Sequence, residues 1–455
     1  MSDASPDVRP RSWAEQFGFS QLFRSFRHAI HLNKLILAFA GVILTYFLGR
    51  LLDAIWVSSH KVAASGDITE AAVFIANGGN RAETLEWIKA MGNGLDRSGV
   101  FAVLLNQVLI SVNGLISAVL SASPEGIIAA IRSAVLTFTW LVTLHPLYAL
   151  LFIVTTLKIW AFFGGAVCRT AAMDAAREER ITLGEAASFA KQKWLSFVMA
   201  PLLPIGMALA FGLFLFLLGL VGWIPYAGEF IVGILLIVAI GLGLIIAFVL
   251  IGTVGGVGLT FPTIAAEGSD ALDALSRTFA YVYQRPWRTV VYYLSVIAHG
   301  AICLAFVKLL ARLALWSTHL FLGFAMNWGS PSLAGESAED VNKLDAIWQT
   351  PALTGDTTFY GSFGEYELAG LSWFSQIIFK TWIYGLWGLV AAYAMSYFFC
   401  ANMNIYLLLR REVDMTDIED VYLEDAMMEA APAAASNPND KPNGSGGVSL
   451  PVVGS

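Results

Sequence analysis

The chain has 455 residues, of which 57% are hydrophobic and 13% charged, with a mean hydropathy of +0.66 and a net charge of −7. A soluble domain carries about 25% charged residues, so half the usual solvating charge is missing and an ordinary water-soluble fold is excluded. The acidic balance excludes general nucleic-acid binding, which needs a basic surface to meet phosphate.

Residues 1–34 form a basic cytoplasmic segment, too long and too polar for the leading part of a cleavable signal, and no small-x-small cleavage site follows. The first apolar segment is therefore expected to be retained as an anchor. Within 12–34, Phe19, Phe23, Phe26 and Ile30 recur at helical spacing, while Arg24, Arg27, His28, His31 and Lys34 share another face. Two readings stay open: a helix lying on anionic lipid, or positive flanking of the next segment. Arg24, Arg27 and Lys34 are assigned to membrane-surface contact, and no metal role is expected of His28 and His31.

The first span is read at 35–57, long enough to cross about 30 Å of hydrocarbon. Arg50 and Asp53, one turn apart near its far end, are expected to neutralise each other. Residues 58–140 are read as an extracytoplasmic helical region, polar to about residue 99. The following stretch is apolar but carries Asn106, Gln107, Ser111, Asn113 and Ser117. It suits a helix against the outer interface; an inserted hairpin over 101–141 is the alternative.

Residues 141–412 form the membrane core, with five further spans near 144–166, 195–223, 230–252, 290–310 and 382–408. An extracytoplasmic loop at 327–372 carries Glu336, Glu339, Asp340, Asp345, Asp356, Glu365 and Glu367 in no calcium-loop spacing. Thr416-Asp-Ile-Glu419 is a capping box that opens an acidic amphipathic helix over 413–429. The Ala, Pro, Asn, Gly and Ser content of 430–455 predicts a disordered tail.

Cations mark alternate ends of these spans. Arg169, Arg177, Arg180, Lys191 and Lys193, then Arg277, Arg285 and Arg288, then Arg410 and Arg411 fall on the side of the basic N-terminus, whereas 327–372 carries Lys343 alone. This positive-inside pattern predicts an all-α, polytopic membrane protein of about six spans, with both termini cytoplasmic in a bacterial inner membrane.

Between spans the chain repeats a unit of span, short amphipathic helix and span. Thr182-Leu-Gly-Glu185 caps the first such helix, which carries Leu183, Ala187, Ala190 and Trp194 on one side. Ser269 or Asp270 caps the second, which carries Leu272, Leu275, Phe279 and Val282 and is stopped by Pro286. Arg277, Arg285 and Arg288 on this second unit are assigned to the membrane surface. The runs GGAVCRTAAMDAAREERITLGEAASFAKQKW, IAAEGSDALDALSRTFAYVYQRPWRTVVYY and LLLRREVDMTDIEDVYLED resemble a group of uncharacterised bacterial polytopic membrane proteins. More loosely, the repeated E/D-A-x-x-S units are similar to the membrane domain fused to glycerophosphodiester phosphodiesterases. No phosphodiesterase domain and no metal-binding Glu/Asp/His set is recognised here, so the resemblance implies a membrane topology and carries over no catalytic residue.

The chain lacks HExxH, P-loop, GxSxG, EF-hand and GxGxxG signatures. Cys168, Cys303 and Cys400 all lie in or beside apolar segments, in no CxxC pair. His299 falls near the middle of the fifth span, which makes it the candidate intramembrane functional residue; without a deep carboxylate nearby, a neutral imidazole bonded to another helix is the plainer expectation. No catalytic residue, cofactor or metal is expected. The leading reading is a non-enzymatic scaffold that meets the lipid bilayer and a protein partner at its cytoplasmic helices and acidic tail. A channel or transporter for a small or lipid-like solute, and a membrane-associated lipid-metabolism protein, are the alternatives.

Overall fold

The computed structural model describes residues 19–55, 62–65, 68–91, 96–326, 328, 343–351, 363 and 372–422. The architecture is all-α and polytopic, and among the described residues eight helices are long and apolar enough to cross a membrane. They are α3 (Leu32–Ile55), α6 (Val100–Leu120), α7 (Pro124–Leu144), α8 (Pro146–Arg177), α10 (Trp194–Val221), α11 (Ala227–Glu267), α13 (Pro286–Met326) and α15 (Ser372–Val413). Shorter helices fill the connections: α1 (Phe19–Phe23), α2 (Ser25–Ala29), α4 (Glu70–Ala76), α5 (Arg81–Met91), α9 (Leu183–Gln192), α12 (Ala271–Gln284) and α14 (Lys343–Ile347).

A long apolar helix covers each of the six expected spans, and α6 and α7 are two additional helices of the same kind. They pair as the hairpin that the sequence left as an alternative. Their polar residues face each other: Ser111 Oγ lies 2.9 Å from Ser133 Oγ, and Gln107 Nε2 donates to Ser133 Oγ at 3.3 Å. Asn113, on the same helix, accepts from Lys308 of α13. Residues 58–99, read as helix and turn, also contain a small antiparallel sheet of β1 (Val62–Ser65), β2 (Ile68–Thr69) and β3 (Asp96–Ser98) in the order β2-β1-β3. Ala64 pairs with Thr69 on one side and with Asp96 on the other.

Several helices outrun the bilayer. Helices α11 and α13 have 41 residues each, or roughly 60 Å at 1.5 Å per residue, about twice the hydrocarbon thickness. The surplus is not wasted on solvent. The ends of α8, α11 and α15 nearest the chain termini pack into the main core, where Ala166, Val167, Ile264, Ala265, Met403 and Ile405 have no exposed surface. Helices α1, α2, α9 and α12 close round these ends. Small residues permit the approach: a Cβ on Gly165 would lie 2.6 Å from the Phe197 ring, and one on Gly256 would lie 2.6 Å from Thr278 Cγ2.

Both capped connecting helices form where the sequence places them. Thr182 and Glu185 complete a reciprocal capping box at α9, and Asp270 accepts from the Asp273 amide at α12. The buried face of α12 runs through Ala271, Ala274, Leu275, Thr278, Tyr281 and Val282, whereas Leu272, expected on that face, is 64% exposed. After α15 the chain turns back as a strap over 414–422, without the helix expected there; residues 423–429 lie outside the described residues. The strap is pinned by the Tyr422 amide, which donates to Ala266 O at 2.8 Å. Gly268 ends α11 at φ +64°, a left-handed cap with the Tyr422 ring against it, where a Cβ would find no room.

Candidate functional site

The most buried cation among the described residues, Lys34, meets its carboxylate where the N-terminal segment docks on α8. Helices α1 and α2 are held along α15 by Asn404, whose amide donates to Gln21 O at 3.2 Å and Ser25 Oγ at 2.7 Å, and by Ser396 Oγ, which donates to Ala29 O at 2.9 Å. Asn33 then donates to Ile181 O at 3.1 Å, tying the start of α3 to the link beyond α8. This docking delivers His28, His31 and Lys34 to Asp174, one turn before the end of α8.

One carboxylate oxygen receives all three. Asp174 Oδ2 lies 2.6 Å from Lys34 Nζ, 2.6 Å from His28 Nδ1 and 3.6 Å from His31 Nε2. Lys34 Nζ also donates to His28 O at 3.0 Å, and the residue has no exposed surface. A buried ammonium is tolerable only with such pairing. The His31 contact is of another kind, because 3.6 Å is beyond hydrogen-bond range, and the ring remains about a third open, with 30% of its side chain exposed. Burial holds the His31 imidazole below its ordinary pKa, with Asp174 pulling the other way and Lys34 and Arg180 reinforcing the drop. One ring nitrogen from each histidine and one Asp174 oxygen lie within 4.8 Å of one another, a grouping able to hold a metal ion.

A second network lies beside it at the ends of α11 and α15. Arg169 is buried and donates to Ala265 O at 3.0 Å and Tyr422 O at 2.8 Å, while its guanidinium stacks 4.6 Å from the Phe189 ring centre. Glu267 accepts from Tyr406 at 2.5 Å and pairs with Arg277 at 3.0 Å and Arg410 at 3.5 Å. Tyr281 donates to Asp414; burial and that carboxylate together raise its phenol pKa. These contacts join helix ends to the strap.

The residues assigned from sequence to the membrane surface divide. Arg24, Arg27 and Arg285 are exposed. Arg277 and Arg288 are partly exposed but engaged, Arg277 with Glu267 and Asp273 and Arg288 with Glu412 at 2.5 Å. Lys34 must be reassigned: its ammonium is sealed inside against Asp174 and cannot reach a lipid headgroup. His299 sits between α13 and α15, with Nδ1 2.9 Å from the Tyr397 hydroxyl, Nε2 3.3 Å from Cys303 Sγ and the edge of Phe23 against its ring. Asp53 does not serve Arg50. It accepts from the Phe101 and Ala102 amides at the start of α6, and from Tyr148 Oη at 3.0 Å, a carboxylate held at a helix N-terminus.

Sequence reasoning missed Asp174 and Arg169. Asp174 is separated from His28 by 146 positions, and only folding reveals them as neighbours. The one available signal was an acid and a base inside a run otherwise rich in Ala and Gly near the end of a span. Comparison with known proteins adds no constraint: no family model, no curated protein and no solved structure matches the chain.

Proposed function

We propose that this multi-pass membrane protein is a non-catalytic scaffold of a bacterial inner membrane, its termini cytoplasmic and its joined helix ends forming a platform for a protein partner. One observation carries the reading: the deep ionisable groups of the platform are closed on each other. Lys34 and His28 pair with Asp174, Glu267 accepts from Tyr406 and pairs with Arg277 and Arg410, and Arg169 donates to two carbonyls. Groups committed this way rigidify a surface and are poorly placed to exchange protons with a substrate. A hollow of about 520 Å³ among α6, α7 and α8 is lined by apolar residues with Thr137 and Thr156, and none of its lining residues among the described ones is ionisable. His299 has both ring nitrogens occupied, which disfavours a transport role for it.

Cross-linking in native membranes, followed by gentle solubilisation, tests the scaffold. A stoichiometric partner should be recovered with cross-links at α9, α12 or the strap. Recovery of the chain alone, together with solute flux from proteoliposomes that His299→Ala abolishes, would replace this reading with transport.

A further inference from the structure

We propose that His28, His31 and Asp174 form a binding site for a divalent transition-metal ion of the zinc type, which takes Asp174 in exchange for Lys34. The inference stands independently of the scaffold reading. Two imidazoles and one carboxylate suit zinc and its neighbours, and disfavour magnesium and calcium, which prefer all-oxygen shells.

The separations fit. Ligand atoms of a tetrahedral zinc with bonds of about 2.0 Å stand about 3.3 Å apart. His28 Nδ1 and Asp174 Oδ2 are 2.6 Å apart, and His31 Nε2 and the same oxygen are 3.6 Å apart, so each of these two pairs needs a shift of less than about 1 Å to reach that spacing, and the two histidine nitrogens lie within 4.8 Å of each other. His31 supplies the decisive detail. Its Nε2 lies 3.6 Å from the carboxylate oxygen, too long for a hydrogen bond and close to the spacing of two ligands sharing an ion. Its partial exposure gives the ion an entrance and a water a fourth position. His28 now directs Nδ1 at the carboxylate, and on coordination that proton leaves or moves to Nε2.

Lys34 is the obstacle and defines the mechanism. Its ammonium occupies Asp174 Oδ2, and an arriving cation repels it. The ion therefore takes Asp174 Oδ2 from Lys34 Nζ, leaving it the His28 carbonyl that already accepts from it at 3.0 Å, and metal binding has to offset the lost pairing. Because His28, His31 and Lys34 come from the N-terminal segment and Asp174 from α8, occupancy is coupled to how that segment is clamped.

The test uses full-length protein in detergent, purified without a polyhistidine tag and stripped by chelator. Zn²⁺ is titrated by calorimetry, Co²⁺ by its visible absorption, and Mg²⁺ as a control. One ion per chain should bind, with Mg²⁺ silent. His31→Ala removes a ring with no hydrogen bond among the described residues, so the metal-free variant should unfold as the native chain does while binding Zn²⁺ about 100-fold more weakly. Lys34→Met, which removes the competitor, should bind about tenfold or more tightly on the Coulomb argument. Absence of Zn²⁺ uptake, or native affinity in His31→Ala, overturns the site. A Lys34→Met variant that binds no tighter overturns the exchange.

Discussion

Asp174 is the residue on which the docked N-terminus depends. Desolvating an ammonium costs several kcal/mol, and its attraction to a partner offsets this only while the partner remains. Asp174→Ala would leave Lys34 buried without its carboxylate, since the His28 carbonyl offers only a dipole. The expected loss is about 3–5 kcal/mol, read as a shift in denaturant unfolding of the metal-free protein in mixed micelles. Arg277→Ala is the contrast. Its side chain is 45% exposed, its Asp273 partner is equally open, and buried Glu267 keeps Arg410 and Tyr406 when Arg277 is lost, so it should cost no more than about 1 kcal/mol. Equal losses from the two would mean that the Asp174 cluster is solvated in practice. The basic flank was legible in the sequence, but its internal division was not. Arg24 and Lys34 carry the same charge ten positions apart, and only the approach of α8 decides that one meets solvent and the other a buried carboxylate.

At the scale of elements, apolar length was the reliable signal and scattered polarity the misleading one. Helices α3, α10 and α13 begin within a few residues of the predicted spans, because desolvation of the backbone forces apolar runs in a bilayer into helix. Helices α6 and α7 were obscured by Gln107, Ser111 and Asn113, residues that suggest an interface when counted singly. In the structure they are answered by Ser133 and Lys308, pairs on other helices that a one-dimensional pattern cannot display. The hairpin is seated by Gly49 of α3, where a Cβ would come within 2.2 Å of the Phe101 ring. Gly49→Ala should therefore destabilise by about 1–3 kcal/mol through overpacking and should loosen α6 from α3. Gly212→Ala, on α10 where nothing lies within 4 Å, should change stability by less than about 0.5 kcal/mol. Thermal unfolding monitored by a cysteine-reactive dye separates the two, because Cys168, Cys303 and Cys400 are buried in the folded chain. A Gly49→Ala protein that melts like Gly212→Ala would show that Phe101 yields easily.

Across the whole molecule, six spans and eight make the same demand on the termini, since both numbers are even. The hairpin of α6 and α7 can thus be added without inverting any loop downstream, and the arginine and lysine distribution remains in register with it. The two arrangements differ at one place, the turn at 121–123. If α6 and α7 cross the bilayer, that turn shares a face with the link between α8 and α9 and opposes the turn between α10 and α11. If they rest against the outer interface, it shares a face with the latter. The contact between Asn113 and Lys308 sets α6 along α13, and each hairpin helix, at 21 residues, measures about 32 Å, which matches the hydrocarbon. Crossing is the expected outcome. Single cysteines at Ala122, Glu179 and Tyr226, in a chain whose native thiols are buried, can be labelled with a membrane-impermeant maleimide on intact cells and then on opened membranes. Ala122→Cys should stay unlabelled with Glu179→Cys until the membrane is opened, while Tyr226→Cys reacts at once. Immediate labelling of Ala122→Cys would return the hairpin to the outer surface and the count to six.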